Sequence, residues 1–246
     1  MMLRAVLLCL SLVLASGCGA AEDRSAGGHM QAEPGKDSGS RESKARDAAL
    51  LDAAKKGKEE DVRRYIKEGA GVNAQDGSWR TPAMLATIGG NTEIVRILIE
   101  AGADVNIQAD NLDNPYLYAG AEGLLDILKL AIEAGADTKR TNRFGGTALI
   151  PAAEHAHLDV IEYLLTSSDV DVNHVNNLGW TALMEAVVLG SGREPHQQAV
   201  ELLIRHGADV NIPDRDGVTA LSHAQSRGFT EIARLLEQAG AKADEP

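Results

Sequence analysis

A chain of 246 residues, 44% hydrophobic and 24% charged, has enough apolar material to bury a sizeable core and lacks the composition of a disordered protein. Aromatics contribute only 3%, which points away from a broad β-sandwich and towards thin helices whose small side chains let neighbouring axes approach. A formal net charge of −12 makes nucleic acid and anionic lipid headgroups poor partners and favours a basic patch on another protein.

Residues 1–17 stand apart from that core. Arg4 precedes the apolar run Ala5 to Ala15, which is too short to span a bilayer and has the shape of a secretory signal. The run closes in Leu14-Ala15-Ser16-Gly17-Cys18, which resembles the bacterial lipobox, where a peptidase cuts just before the Cys and the thiol takes lipid. The resemblance implies Cys18 as a lipid-attachment site; ordinary cleavage near Ala20 or Ala21 is the alternative. Gly19 is not the Asp that favours inner-membrane retention in many lipoproteins, so the expected location is the outer membrane facing the periplasm, with a soluble periplasmic or secreted protein as the alternative. Cys9 and Cys18 are the only cysteines, so the remaining chain can hold no Cys nucleophile, Cys-ligated zinc or internal disulfide. Residues 18–46 are rich in Gly, Ser and charge, with little to bury, and read as a disordered tether reaching about 30 Å. The stretch after Cys18 has five acidic and five basic residues, so the negative charge sits on residues 47–246.

From residue 47 the chain repeats itself. Thr81-Pro82, Asn114-Pro115, Thr147-Ala148, Thr181-Ala182 and Thr219-Ala220 each open an Ala-rich stretch, at intervals of 33, 33, 34 and 38 residues. A second apolar stretch with helical spacing follows each start, ending in a Gly turn in EIVRILIEAGADVN from Glu93, LDILKLAIEAGADTK from Leu125 and AVELLIRHGADVN from Ala199. One period back, Ala48-Ala49-Leu50-Leu51 and VRRYIKEGAGVN from Val62 continue the pattern. Two helices per period and starts near 48, 81, 114, 147, 181 and 219 predict an all-α solenoid of about six repeats with short β-turn tips.

TPAMLA, GADVN and GVTALSHAQSRGFTEIARLLEQAGA resemble ankyrin repeats, over residues 47–246. The Thr hydroxyl should cap the first helix, and Pro at its first position lacks only a hydrogen that would be unpaired anyway. Gly102, Gly135, Gly207 and Gly240 suit the left-handed residue that ends the second helix, and Val72, Val105, Val172 and Val210 form a column across the seams. The fourth motif position, His in the family, is Met84, Leu117, Ile150, Met184 and Ser222 here. The first and last repeats read as polar caps. The extra residues Ser191 to Pro195 are expected to form a loop between the two helices of repeat five. His157 occupies the turn where the family commonly has Gly-His and reads as structural; His29, His174, His196 and His206 read as exposed.

The resemblance implies a concave face, made of tips and first helices, on which family members bind proteins. The tips are Gly77 to Arg80, Asp110 to Asp113, Arg143 to Gly146, Asn177 to Trp180 and Arg215 to Val218, and they hold both tryptophans and one of the two phenylalanines. Aromatic and Arg side chains dominate protein interfaces, which singles out Trp79, Arg80, Arg143, Phe144, Asn177, Leu178, Trp180 and Arg215 as partner-binding residues. Trp180 could equally lie flat and stiffen its turn, whereas Trp79 stands where the turn prefers Gly and is harder to explain locally. Leu85, Tyr118, Pro151, Glu185 and His223 form a column along the first helices. It carries the rival reading: Glu154 lies one turn after Pro151 and Glu185 on the next helix roughly 8–10 Å away, so that with His155 and His223 they could do acid–base work or hold a divalent cation. No His-Glu-x-x-His, nucleophile elbow or phosphate loop accompanies them. The expectation is therefore a monomeric, non-enzymatic binding scaffold with no cofactor, no metal and no catalytic residues.

Overall fold

The computed structural model describes residues 38–242; the expected signal, the expected lipid site Cys18, the expected tether up to residue 37 and the last four residues lie outside them. Twelve helices follow one another among the described residues: α1 (Ser38–Lys55), α2 (Glu59–Lys67), α3 (Pro82–Ile88), α4 (Thr92–Glu100), α5 (Pro115–Ala121), α6 (Leu125–Glu133), α7 (Leu149–Glu154), α8 (Leu158–Ser167), α9 (Ala182–Val188), α10 (Glu194–Arg205), α11 (Ala220–Ser226) and α12 (Thr230–Gln238). Successive pairs form six hairpins. The odd-numbered helices pack on one another as an inner layer and the even-numbered ones as an outer layer, so a single core of Ala, Leu, Ile and Val runs through the stack. No described helix is long and apolar enough to cross a membrane.

Local chemistry explains the regularity. The hydroxyl of Thr81 accepts the N–H of Met84 at 3.2 Å, Asn114 Oδ1 that of Leu117 at 2.8 Å, Thr181 that of Met184 at 3.2 Å and Thr219 that of Ser222 at 3.4 Å. Thr147 breaks the expectation. Ile150 donates instead to the Thr147 carbonyl at 3.2 Å, α7 starts late, Pro151 within it has no N–H to give, and the Thr147 hydroxyl is buried without a partner. The outer helices end on Gly102, Gly135, Gly207 and Gly240 with φ between 86° and 90°, where a side chain would be strained. Val105 and Val210 of the seam column are buried, and Val72 and Val172 half-buried.

Two boundaries differ from the sequence reading. α1 begins at Ser38, inside the segment expected to be tether. Leu50, Ala53 and Ala54 are buried, Asp47 accepts the Gly71 N–H at 2.7 Å, and Arg46 donates to the Glu68 carbonyl. A helix anchored there extends backwards through exposed residues at little cost, because propagation follows easily once a nucleus exists. In repeat five the inserted residues are only partly loop: Glu194 and Pro195 open α10, which has 12 residues where α4, α6 and α12 have 9.

Adjacent repeats are fastened at both ends. In the turns between helices, His157 Nε2 donates to the Ala121 carbonyl at 3.2 Å, His196 Nε2 to that of Glu154 at 2.9 Å, and Arg227 to those of Val188 and Gly190. Each side chain thus satisfies carbonyls at the C-terminal end of the preceding inner helix. His196 and His174, which donates to the Gly145 carbonyl at 2.7 Å, are half-buried ties between repeats and not the exposed residues expected. At the other edge, Asn73, Asn106, Asn173 and Asn211 each accept one backbone N–H of the next repeat and donate to a Gly carbonyl there. Lys139 stands where the ladder calls for Asn, and an exposed pair with Asp169 at 3.0 Å replaces the two-bond clasp. Neutral bonds to backbone are worth about 1 kcal/mol each and exposed ion pairs less. Asn106→Ala is therefore expected to cost about 1–2 kcal/mol and Lys139→Ala less than that, as measured by urea unfolding.

Candidate functional site

Each tip is a five-residue hairpin whose first N–H donates to its last carbonyl, as Asp76 to Arg80 and Asn176 to Trp180, both at 3.0 Å. A side-chain oxygen at the first position holds the turn: Asp76 Oδ1 accepts the N–H groups of Ser78 and Arg80, Asn142 those of Phe144 and Gly146, Asn176 those of Leu178 and Trp180, and Asp214 those of Asp216 and Val218. Ala109 cannot do this, and Asn111 Oδ1 takes the N–H of Asp113 instead.

The fourth tip position requires positive φ. It is Gly145, Gly179 and Gly217 in three tips but Trp79 (φ 61°) and Leu112 (φ 62°) in the other two. A bulky residue held there costs of order 1 kcal/mol or more. Neither is repaid by burial, since Trp79 is 65% and Leu112 46% exposed. With Phe144 at 51% and Leu178 at 50% they form an exposed apolar series on four successive tips. Leu112 was not singled out from sequence; its side chain in a glycine position was the available signal.

The remaining candidates differ in freedom. Arg80 is held by Asp76, with Nε at 2.9 Å from the carboxylate, and is half-buried. The Arg143 guanidinium covers the Phe144 ring at 4.7 Å. Asn177 donates its N–H to the Phe144 carbonyl at 2.8 Å and its side chain lies over Gly145, where a Cβ would meet it at 2.5 Å. Arg215 is exposed and its stem crosses Gly179. Trp180 is half-buried against the core, the geometry that stiffens a turn.

A row of carboxylates runs along the tips and inner helices. Glu185 on α9 is 5% exposed and accepts a 2.7 Å hydrogen bond from Asn176 Nδ2. Burial, reinforced by Glu154, pushes its carboxyl up to about 7, against the pull of Asn176. Asp113 is likewise raised, first by burial, with Arg143 and Asn111 opposing and Glu122 adding. None of Asp113, Glu122, Glu154 and Glu185 has an ion-pair partner among the described residues. The four residues of the rival reading do not converge. His223 is committed to Asp214 at 2.8 Å and the His155 ring faces that of His157 at 5.8 Å. No group of three or more His, Cys, Asp or Glu able to hold a metal occurs among the described residues.

Comparison with known proteins places the chain. The family described as Ankyrin repeats (3 copies) matches residues 50–142 and 116–214. A curated relative, the putative ankyrin repeat protein YahD of Escherichia coli (strain K12), is 48% identical over 99 residues, 40% of this chain, and the chain spans about half (49%) of that relative's length. Among solved structures, an ankyrin repeat domain from Acinetobacter baumannii AYE is 48% identical with a TM-score of 0.76, over 78% of this chain and 98% of that one. A chain of the complex between the Bd0816 predatory endopeptidase of Bdellovibrio bacteriovorus and immunity protein Bd3460 is 26% identical with a TM-score of 0.63, over 77% of this chain and 97% of its own.

Proposed function

We propose, from the premise that this chain belongs to the ankyrin-repeat family, that it is a non-enzymatic scaffold capturing a partner protein on its concave face, with the tips of repeats two to five making the principal contact. Ankyrin repeats indicate a protein–protein interaction scaffold. The observation that carries the tip assignment is the placement of Trp79 and Leu112 in left-handed positions while both stay exposed. Backbone strain without local compensation is retained where it serves contact with something else. That a similar structure is an endopeptidase in complex with an immunity protein supports a protein, and not a small molecule, as ligand.

A photo-reactive residue at position 79 in cells should give a protein adduct, and the same residue at Arg96 on α4 should not. Adducts confined to position 96 would overturn the assignment.

The lipobox resemblance supports a location on the extracytoplasmic side of a bacterial membrane, with the solenoid tethered through lipid on Cys18. Cys18→Ser is expected to move the protein from the membrane fraction to the soluble one. Unchanged fractionation would remove the anchor from the proposal.

A further inference from the structure

The groove has two rims of different chemistry. The apolar side chains of Trp79, Leu112, Phe144 and Leu178 stand on the tips, each ahead of an inner helix, while Glu122 and Glu154 sit at the opposite, C-terminal ends of α5 and α7. An inner helix of seven residues separates the rims by about 10 Å, close to the diameter of an α-helix with its side chains. Along the stack, neighbouring inner helices lie about 8–10 Å apart, and seven residues of an α-helix rise about 10.5 Å. Glu122 and Glu154 have no ion-pair partner among the described residues, and the net charge of the whole chain, −12, has the same sign. Of the tip arginines, Arg143 is stacked on Phe144 and Arg215 lies along Gly179, both on the apolar rim.

Resting on the scaffold reading above, we propose that the groove docks an amphipathic helix of the partner, about 20 residues long, with apolar side chains one heptad apart against the four tips and Lys or Arg side chains facing Glu122 and Glu154. The apolar contacts supply most of the binding, since aromatic anchors carry interface energy. The carboxylates select the orientation and the sign of the partner.

Two synthetic 22-residue helical peptides, identical in their Leu heptads and bearing either Lys or Glu on the opposite face, test this by fluorescence anisotropy against the full chain. The Lys peptide should bind at least tenfold more tightly than the Glu peptide, and its affinity should fall as salt rises. The double change Trp79→Gly and Leu112→Gly should weaken it at least tenfold with no loss of melting temperature, because it restores the residue of the other tips. Glu122→Gln with Glu154→Gln should abolish the preference between peptides. Equal affinities, a preference for Glu, or no saturable binding of either peptide would each overturn the helix proposal. Partner adducts from position 79 in cells alongside any of those results would leave the scaffold reading standing, so the two can fail separately.

Discussion

Replacing Glu185 by Gln is expected to remove a pH-dependent loss of stability of about 3 kcal/mol that the parent chain suffers between pH 4.5 and 8. The Glu185 carboxyl is pushed from an ordinary value of 4.5 up to about 7 by burial and by Glu154. In the unfolded chain it ionises near its ordinary value. Between the two values the folded state holds a proton that the unfolded state has released, so stability falls as pH rises through this window and levels off above pH 7. At pH 4 the carboxyl is neutral in the folded state and mostly neutral in the unfolded one, and parent and Gln variant should melt nearly alike. At pH 8 the variant should melt higher by roughly 6–12 °C. Calorimetry across pH 4–8 decides the matter, and parallel curves for the two proteins would show that the carboxyl ionises in the native state at no cost. Glu154→Gln should recover only part of the loss, since burial is the larger cause.

Gly120→Leu is expected to destabilise the protein by about 3 kcal/mol or more. Gly120 lies in α5, and a Cβ built on it would sit 2.7 Å from the Ala148 Cβ and 3.1 Å from the Ala148 carbonyl oxygen. Backbone lies on the far side of that contact, so no rotamer change can relieve it, and repeats three and four would have to part along the core. Even Gly120→Ala should be destabilising, although Ala gains about 1 kcal/mol over Gly in a helix interior. Urea unfolding provides the measurement. A neutral or stabilising Ala variant would mean that the inner helices can separate freely at this seam.

Much of the architecture was legible because it is local or periodic. The starts at Thr81, Asn114, Thr181 and Thr219, the glycines that end the outer helices and the apolar columns are each set within about one repeat, so composition and spacing expose them. The candidate site was partly legible for the same reason. Trp79 was conspicuous as a bulky residue in a turn position that prefers Gly, and Leu112 carries the same signal one repeat on.

What depended on stacking was not legible. His196 and His174 become ties to carbonyls 42 and 29 residues away. The beginning of α1 follows from contacts that Arg46 and Asp47 make with α2 and the turn after it.

Sequence alone therefore determined that this is an acidic ankyrin solenoid of about six repeats, because a repeat's hydrophobic period, caps and turn glycines act over a few residues. Only the tertiary structure decided which tips remain bare, where the ladder of Asn clasps is interrupted at Lys139, and that Glu185 is buried. Those properties arise where one repeat meets the next, and burial and charge coupling exist only once the surfaces are in contact.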